Sequence, residues 1–153
     1  MIIEFNNRKY IIIFLIIIIC VLMAKFLSQT DFDFSNKTAL VRIDCDVDLP
    51  DGEFRLQAML PTLHFLKRKK VKRIILIGHL GRPGGQEKKE LSLAPIADWF
   101  SDNFQDCDLI TNYELPVTNY LSLLENLRFH SGEKENSSEF AKQLTSLADV
   151  YIN

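Results

Sequence analysis

The chain has 153 residues, a formal net charge of −2 and an apolar fraction of 47%. That length makes one ordinary domain, and a charge so close to balance carries no global basic field of the kind that nucleic-acid binding calls for. The three cysteines, Cys20, Cys45 and Cys107, form no CxxC pair and no Cys/His ligand set, which argues against zinc and for small buried thiols in a reducing compartment.

In chain order, the first feature is apolar. Ile11–Ala24 has no charged or polar side chain apart from Cys20; Arg8 and Lys9 precede it and Lys25 follows. As a helix it spans about 21 Å, short of the roughly 30 Å hydrocarbon core, and adding Tyr10, Phe26 and Leu27 brings it close, with Lys25 snorkelling. Three readings stand side by side. One is a membrane anchor over 11–27 with its N-terminus in the cytoplasm, as Arg8 and Lys9 favour. Another is the apolar region of a signal peptide, although no small-x-small cleavage site follows cleanly. The third is an upstream extension foreign to the native protein. The polar stretch Ser28–Ser35 reads as a linker, dividing the chain into an apolar segment, 1–28, and a domain, 29–153.

Thr38–Ile43 reads as a strand, and Pro50-Asp51-Gly52 as a chain reversal. Leu56, Met59, Leu60, Leu63 and Leu66 recur at helical spacing, with Pro61 predicting a kink or a helix start close to it. Lys67–Lys70 then forms a basic, solvated helix end. Ile74–Ile77 is a continuous apolar run, the mark of a strand buried on both faces. Ser92 is placed to cap a helix that carries Leu93, Ile96, Ala97, Phe100 and Phe104 on one stripe, with Pro95 in its first turn. Asp108–Thr111 and Leu121–Leu124 are short strands. Asn136 and Glu139 resemble a capping pair that opens a helix with Phe140, Ala141, Leu144, Leu147 and Ala148 inward, and Val150–Ile152 is one more strand. Strands alternating with helices predict an α/β fold with a parallel sheet covered on both faces.

In such sheets ligands bind off the carboxyl ends of the strands, where Asp44, His79, Arg82 and Arg128 fall. Three strand-like runs end in polar or basic groups: "VRIDCDVD" (Val41–Asp48), "GHLGRPGG" (Gly78–Gly85) and "LLENLRFH" (Leu123–His130). Together they suggest one pocket for a phosphorylated or carboxylated small molecule. The glycine-rich motif is neither a Walker A loop nor a dinucleotide fingerprint; a plain flexible turn competes with an oxyanion nest built from backbone amides and a guanidinium. His79 has no visible general-base partner. Asp44 and Asp46, two apart, share one face of an extended segment, and no third ligand stands near enough to predict a metal.

These runs, with "RLQAMLPTL" (Arg55–Leu63), "LSLAPIADWF" (Leu91–Phe100) and "FAKQLTSLADVYIN" (Phe140–Asn153), together resemble the phosphoglycerate kinase family in unbroken order from Thr38 to Asn153. The resemblance implies a Rossmann-like lobe that holds the triose acid, an enzyme moving a phosphoryl group between 1,3-bisphosphoglycerate/ADP and 3-phosphoglycerate/ATP, and ATP/ADP with Mg2+ held by a second lobe. It implies that Arg42, Asp44, Asp46, Arg55, His79, Arg82 and Arg128 line the substrate site. In that scheme Asp44 holds a substrate hydroxyl, His79, Arg82 and Arg128 grip the remote phosphate, and Arg55 stabilises the transferring group as the catalytic residue. It further implies a cytoplasmic protein, monomeric when complete, with no nucleic-acid partner.

Several positions depart from the family pattern. Asp46 stands where the family has Asn, and Asp48 where it has Pro. The turn from Asp48 to Arg55 and the stretch from Thr111 to Tyr120 are short. The family continues past the last motif into a further substrate arginine and the nucleotide lobe. The expectation is therefore the N-terminal part of such a kinase, cut short and inactive alone. The alternative is a membrane-tethered, non-catalytic module binding small anions, and a weaker third is an interaction protein that uses the sheet edge at Val150–Ile152.

Overall fold

Three apolar runs buried on both faces set the middle of the domain. Strand β1 (Thr38–Arg42) lies beside β2 (Arg73–Ile77), with Leu40 level with Ile75; β2 lies beside β4 (Leu121–Leu124), with Leu76 level with Leu123. Strand β3 (Cys107–Ile110) pairs with β4 on one side, and β5 (Val150–Ile152) with β1 on the other. All pairings are parallel, in the order β3-β4-β2-β1-β5, so the parallel α/β sheet predicted from the alternation is what the chain forms. The computed structural model describes residues 31–111 and 119–153. Residues 33–153 form one unit and residues 1–32 another. The apolar run 11–27 and Cys20 lie outside the described residues, as does most of the short stretch between Thr111 and Tyr120.

Helices α1 (Glu53–Gln57) and α2 (Leu60–Arg68) connect β1 to β2, and α3 (Ala94–Asn103) connects β2 to β3. Pro61 sits in the first turn of α2, where a missing N–H costs nothing, so the single periodic run is cut into two helices rather than kinked. A short α4 (Ser131–Lys134) and then α5 (Ser138–Ser146) connect β4 to β5. The connections from β1 and β2 run toward β3, whereas the one from β4 runs back past β1. Right-handed crossovers therefore place α2 and α3 on one face and α5 on the other. Lys67 of α2 donates to Gln105 just beyond α3 (2.8 Å), and His64 packs edge-on against Phe104, as neighbours on one face must. On the opposite face Leu40, Ile75, Ile77 and Leu124 are buried under Leu144, Leu147 and Ala148.

Some details differ from the sequence reading. Strand β3 begins one residue earlier, at Cys107. Leu93 is the N-cap residue of α3; Ser92 stands one position further out, where its Oγ still accepts from the Ala94 N–H (3.2 Å) while donating to Glu125 (2.8 Å). Ser137, not Asn136, caps α5, accepting from the Phe140 N–H (3.3 Å), and Asn136 adopts a left-handed turn at φ 52°. Ala141 faces solvent, off the stripe of Leu144, Leu147 and Ala148 that packs against the sheet. Cys45 is buried, and burial pushes its thiol far up; Cys107 is half-buried and pushed up to about 12, first by burial and then by Asp108. Neither is a ready thiolate.

Candidate functional site

Each central strand ends in a loop whose backbone is fastened to the next. Past β1 the ladder runs one step further, the Ile43 N–H donating to the Ile77 carbonyl (2.9 Å). The chain then alternates: Ile43, Cys45 and Val47 are buried while Arg42, Asp44, Asp46 and Asp48 face out. The shared face of Asp44 and Asp46 is therefore real, but it lies on the loop beyond β1. Asp44 Oδ1 accepts from the Asp46 N–H (3.1 Å), and its Oδ2 meets Arg55 Nη1 at 3.1 Å. Arg55 Nη1 also reaches the Asp46 carbonyl (3.3 Å). The short turn thus brings Arg55, on α1, back onto the strand end that carries Asp44.

The loop after β2 is held from both sides. Gly78 is buried, and a Cβ on it would collide with Cys45 Sγ and come within 2.9 Å of the Ile43 carbonyl; the two strand ends meet there with no room for a side chain. Gly81 has φ +63°, the left-handed region that glycine enters freely. Its N–H donates to Asp46 Oδ1 (2.9 Å), and its carbonyl accepts from Arg128 Nη1 (2.8 Å). The Gly85 N–H donates to the Arg128 carbonyl (3.1 Å). Arg128 therefore clasps both ends of the Gly81–Gly85 loop, and its Nε lies 3.5 Å from Glu133.

Beneath these residues sits a polar anchor that the sequence reading did not single out. Asn126 is fully buried. Its amide donates to the Leu80 carbonyl (2.8 Å) and the Leu91 carbonyl (2.9 Å), while its Oδ1 accepts from the Arg128 N–H (3.1 Å). Glu125 accepts from the Ser92 hydroxyl, the Leu93 N–H and the Asn126 N–H, each at 2.8 Å. The Leu127 N–H closes the seam by donating to the Gly78 carbonyl (3.1 Å). The signal for this anchor was an acid–amide pair wedged between the apolar β4 and the arginine.

The expected single pocket is two openings on the same edge of the sheet. One, of about 240 Å3, is lined by Arg42, Ile43, Asp44, His79 and Asn153. The other, of about 560 Å3, is lined by Arg82, Gly84, Gly85, Arg128, Glu133 and Lys134. His79 belongs electrically to both. Burial and then the Arg128 guanidinium, with Arg42 adding less, hold its imidazole below the usual histidine value, against the opposite pull of Asp46 and Glu133. A phosphate or carboxylate placed beside this imidazole would act against that lowering, since a nearby negative charge favours the protonated ring. Among the described residues no three His, Cys, Asp or Glu side chains gather as a metal-binding set.

Residues 29–153 match the family model described as phosphoglycerate kinase. The chain belongs to the phosphoglycerate kinase family. A curated phosphoglycerate kinase from Borrelia hermsii is 38% identical over 137 residues, covering 80% of this chain and 35% of the relative. One from Moorella thermoacetica is 40% identical over 145 residues, covering 86% of this chain and 36% of the relative. The solved phosphoglycerate kinase of Coxiella burnetii superposes with a TM-score of 0.70 at 32% identity, over 79% of this chain and 33% of that one. The chain thus spans about a third of the length of the phosphoglycerate kinases it matches.

Proposed function

We propose that this part of a phosphoglycerate kinase holds the phosphorylated triose acid for phosphoryl transfer between 1,3-bisphosphoglycerate/ADP and 3-phosphoglycerate/ATP. The observation that carries the reading is the hydrogen-bonded chain Arg55–Asp44–Asp46–Gly81–Arg128, which ties three strand ends into one basic rim. In this scheme Arg82, Arg128 and His79 take the remote phosphate, with bidentate guanidinium contacts. Arg42 and Asp44 face the acid end, Asp44 accepting from the substrate hydroxyl. Arg55, tethered but half-exposed, swings to stabilise charge on the transferring group, which is the main help phosphoryl transfer asks of a protein. Asp46 acts through the loop: its carboxylate holds the Gly81 N–H, a bond that the amide oxygen of an asparagine makes equally well.

ATP/ADP with Mg2+ is the phosphoryl donor or acceptor in this reading. In the same reading the nucleotide with its Mg2+ is held by the second lobe of the complete enzyme. The complete enzyme is read as a cytoplasmic monomer. Among the described residues no helix is long and apolar enough to cross a membrane.

The test is a 3-phosphoglycerate titration followed by NMR at His79. A saturable shift of the ring signals at millimolar ligand, with the imidazole becoming easier to protonate as phosphate arrives, is the expected result. Signals that stay put at that concentration contradict the assignment.

A further inference from the structure

Beside the wider opening stands a second histidine, His130, outside the set that grips the acid. It follows Arg128 by two residues and is the N-cap residue of α4, the turn that supplies Glu133 and Lys134 to the lining. Its Nδ1 accepts from the Gly132 N–H (3.0 Å). A backbone N–H can only donate, so Nδ1 carries a lone pair and the ring's proton sits on Nε2. The ring lies flat on Phe140 of α5, with centroids 4.0 Å apart and planes 10° from parallel. Gly132 is wedged between the two: a Cβ there would stand 2.9 Å from Phe140 Cβ and 3.0 Å from His130 Nδ1. The Gly132 carbonyl accepts from the Ser137 N–H (2.9 Å), so its N–H is met by His130 and its carbonyl by the cap residue of α5.

This assembly abuts the phosphate side of the rim at two points. Glu133, one residue past Gly132, lies 3.5 Å from Arg128 Nε. Ser131, one residue before it, closes on Gly85: a Cβ on Gly85 would come within 3.3 Å of Ser131 Cα, and the Gly85 N–H donates to the Arg128 carbonyl (3.1 Å). The guanidinium and the glycine loop therefore rest against a turn that a titratable acceptor holds in place. A proton on Nδ1 removes the lone pair and sets N–H against N–H, so that hydrogen bond is lost outright. Phe140 and the Gly132 backbone, which touch the ring, do not titrate. The charged side chains on the elements around it are Arg128, Glu133, Lys134 and Glu135 in the turns on either side, and Glu139 and Lys142 on α5.

We propose that His130 is a positioning residue of the triose-acid site: its neutral ring holds the α4 turn against Arg128 and Gly85, and protonating that ring loosens this side of the rim. The effect on binding rests on the triose-acid reading; the coupling between His130 and the rim does not. The sign is opposite to that at His79, where a proton adds positive charge beside the phosphate.

The test compares the full chain with His130→Asn, whose Oδ1 accepts at a cap without titrating, and with His130→Phe, which keeps a ring on Phe140 and loses the acceptor. Without ligand, an NMR titration from about pH 8 to about pH 5, the range in which histidine changes charge, should move the Gly132 and Gly85 amide signals and the Arg128 Cζ signal together with the His130 ring, at one midpoint. In His130→Asn that shared midpoint should vanish. With 3-phosphoglycerate, read by calorimetry, the affinity of the parent relative to His130→Asn should fall about fivefold over the same range, the usual worth of a cap. Protonation of the ligand and of His79 is common to both chains and cancels in that ratio. His130→Phe should bind about fivefold more weakly than His130→Asn at both ends of the range. Gly85 and Arg128 signals that stay still while the His130 ring titrates overturn the proposal, with or without ligand, as does an affinity ratio that is flat with pH. Coupled signals in chains that bind no 3-phosphoglycerate at any pH support the coupling and strike the triose-acid reading alone.

Discussion

The two edges of this sheet are both basic and do opposite things with their charge. At the carboxyl ends of the strands, Arg55 and Arg128 are each hydrogen-bonded to a named partner, and the glycine loop between the strand ends is clasped at both its ends. At the amino end of β2 the cations stand side by side on an exposed turn. At the carboxyl ends the charge is fixed by backbone partners, whereas at the amino end of β2 it is concentrated along an exposed turn. The lesson is that the number of basic residues does not mark the site; the backbone groups that hold them do.

That contrast can be broken from its strong end first. Asn126→Ala leaves the Leu80 and Leu91 carbonyls without their buried donor, and an unmet pair of this kind costs about 3 kcal/mol. Urea unfolding should show that loss together with weakened 3-phosphoglycerate binding; unchanged stability would mean the strand ends do not depend on this anchor. Arg128→Ala should weaken 3-phosphoglycerate binding about a hundredfold by calorimetry, the usual scale for a charge-assisted contact. Arg128→Lys should recover only part of it, since an ammonium cannot both clasp Gly81 and fork onto a phosphate.

Smaller effects sharpen the picture. Gly78→Ala pushes a methyl group into Cys45 and the Ile43 carbonyl and should cost about 2 kcal/mol in thermal unfolding, in the range for overpacking. The depressed His79 has a worked sign. Its folded-state value lies below that of the unfolded chain, so the unfolded state binds more protons in the window just under the ordinary histidine value of 6.5. Stability is therefore full above that value and declines as pH falls through the window, a slope that His79→Gln should remove. Smallest of all, Arg55→Ala should change unfolding stability by no more than about 0.5 kcal/mol, because its pair with Asp44 is half in water; in the complete enzyme the same change is expected to strike turnover rather than triose-acid binding.

Much of this molecule was legible beforehand because its signals are local. The runs Ile74–Ile77 and Leu121–Leu124 announce buried strands, and parallel crossovers then dictate which edge gathers Asp44, His79, Arg82 and Arg128. What stayed hidden was relational. Nothing in the spacing of Asp46 and Gly81 says that the carboxylate holds that amide, so Asp46 read as a departure from the family's Asn rather than as a loop tie. Asn126 looked like one polar residue among many until burial showed two carbonyls waiting for it. The cap of α5 was missed by one position because Asn136 and Ser137 both suit a helix start, and only the left-handed turn at Asn136 decides between them.

The most direct measurement is a crystal structure grown with 3-phosphoglycerate. The account predicts one molecule across the rim, its phosphate on Arg82 and Arg128 and its acid end toward Arg42 and Asp44, with His79 between. An ordered 3-phosphoglycerate elsewhere on the chain, with that rim bare, would contradict it.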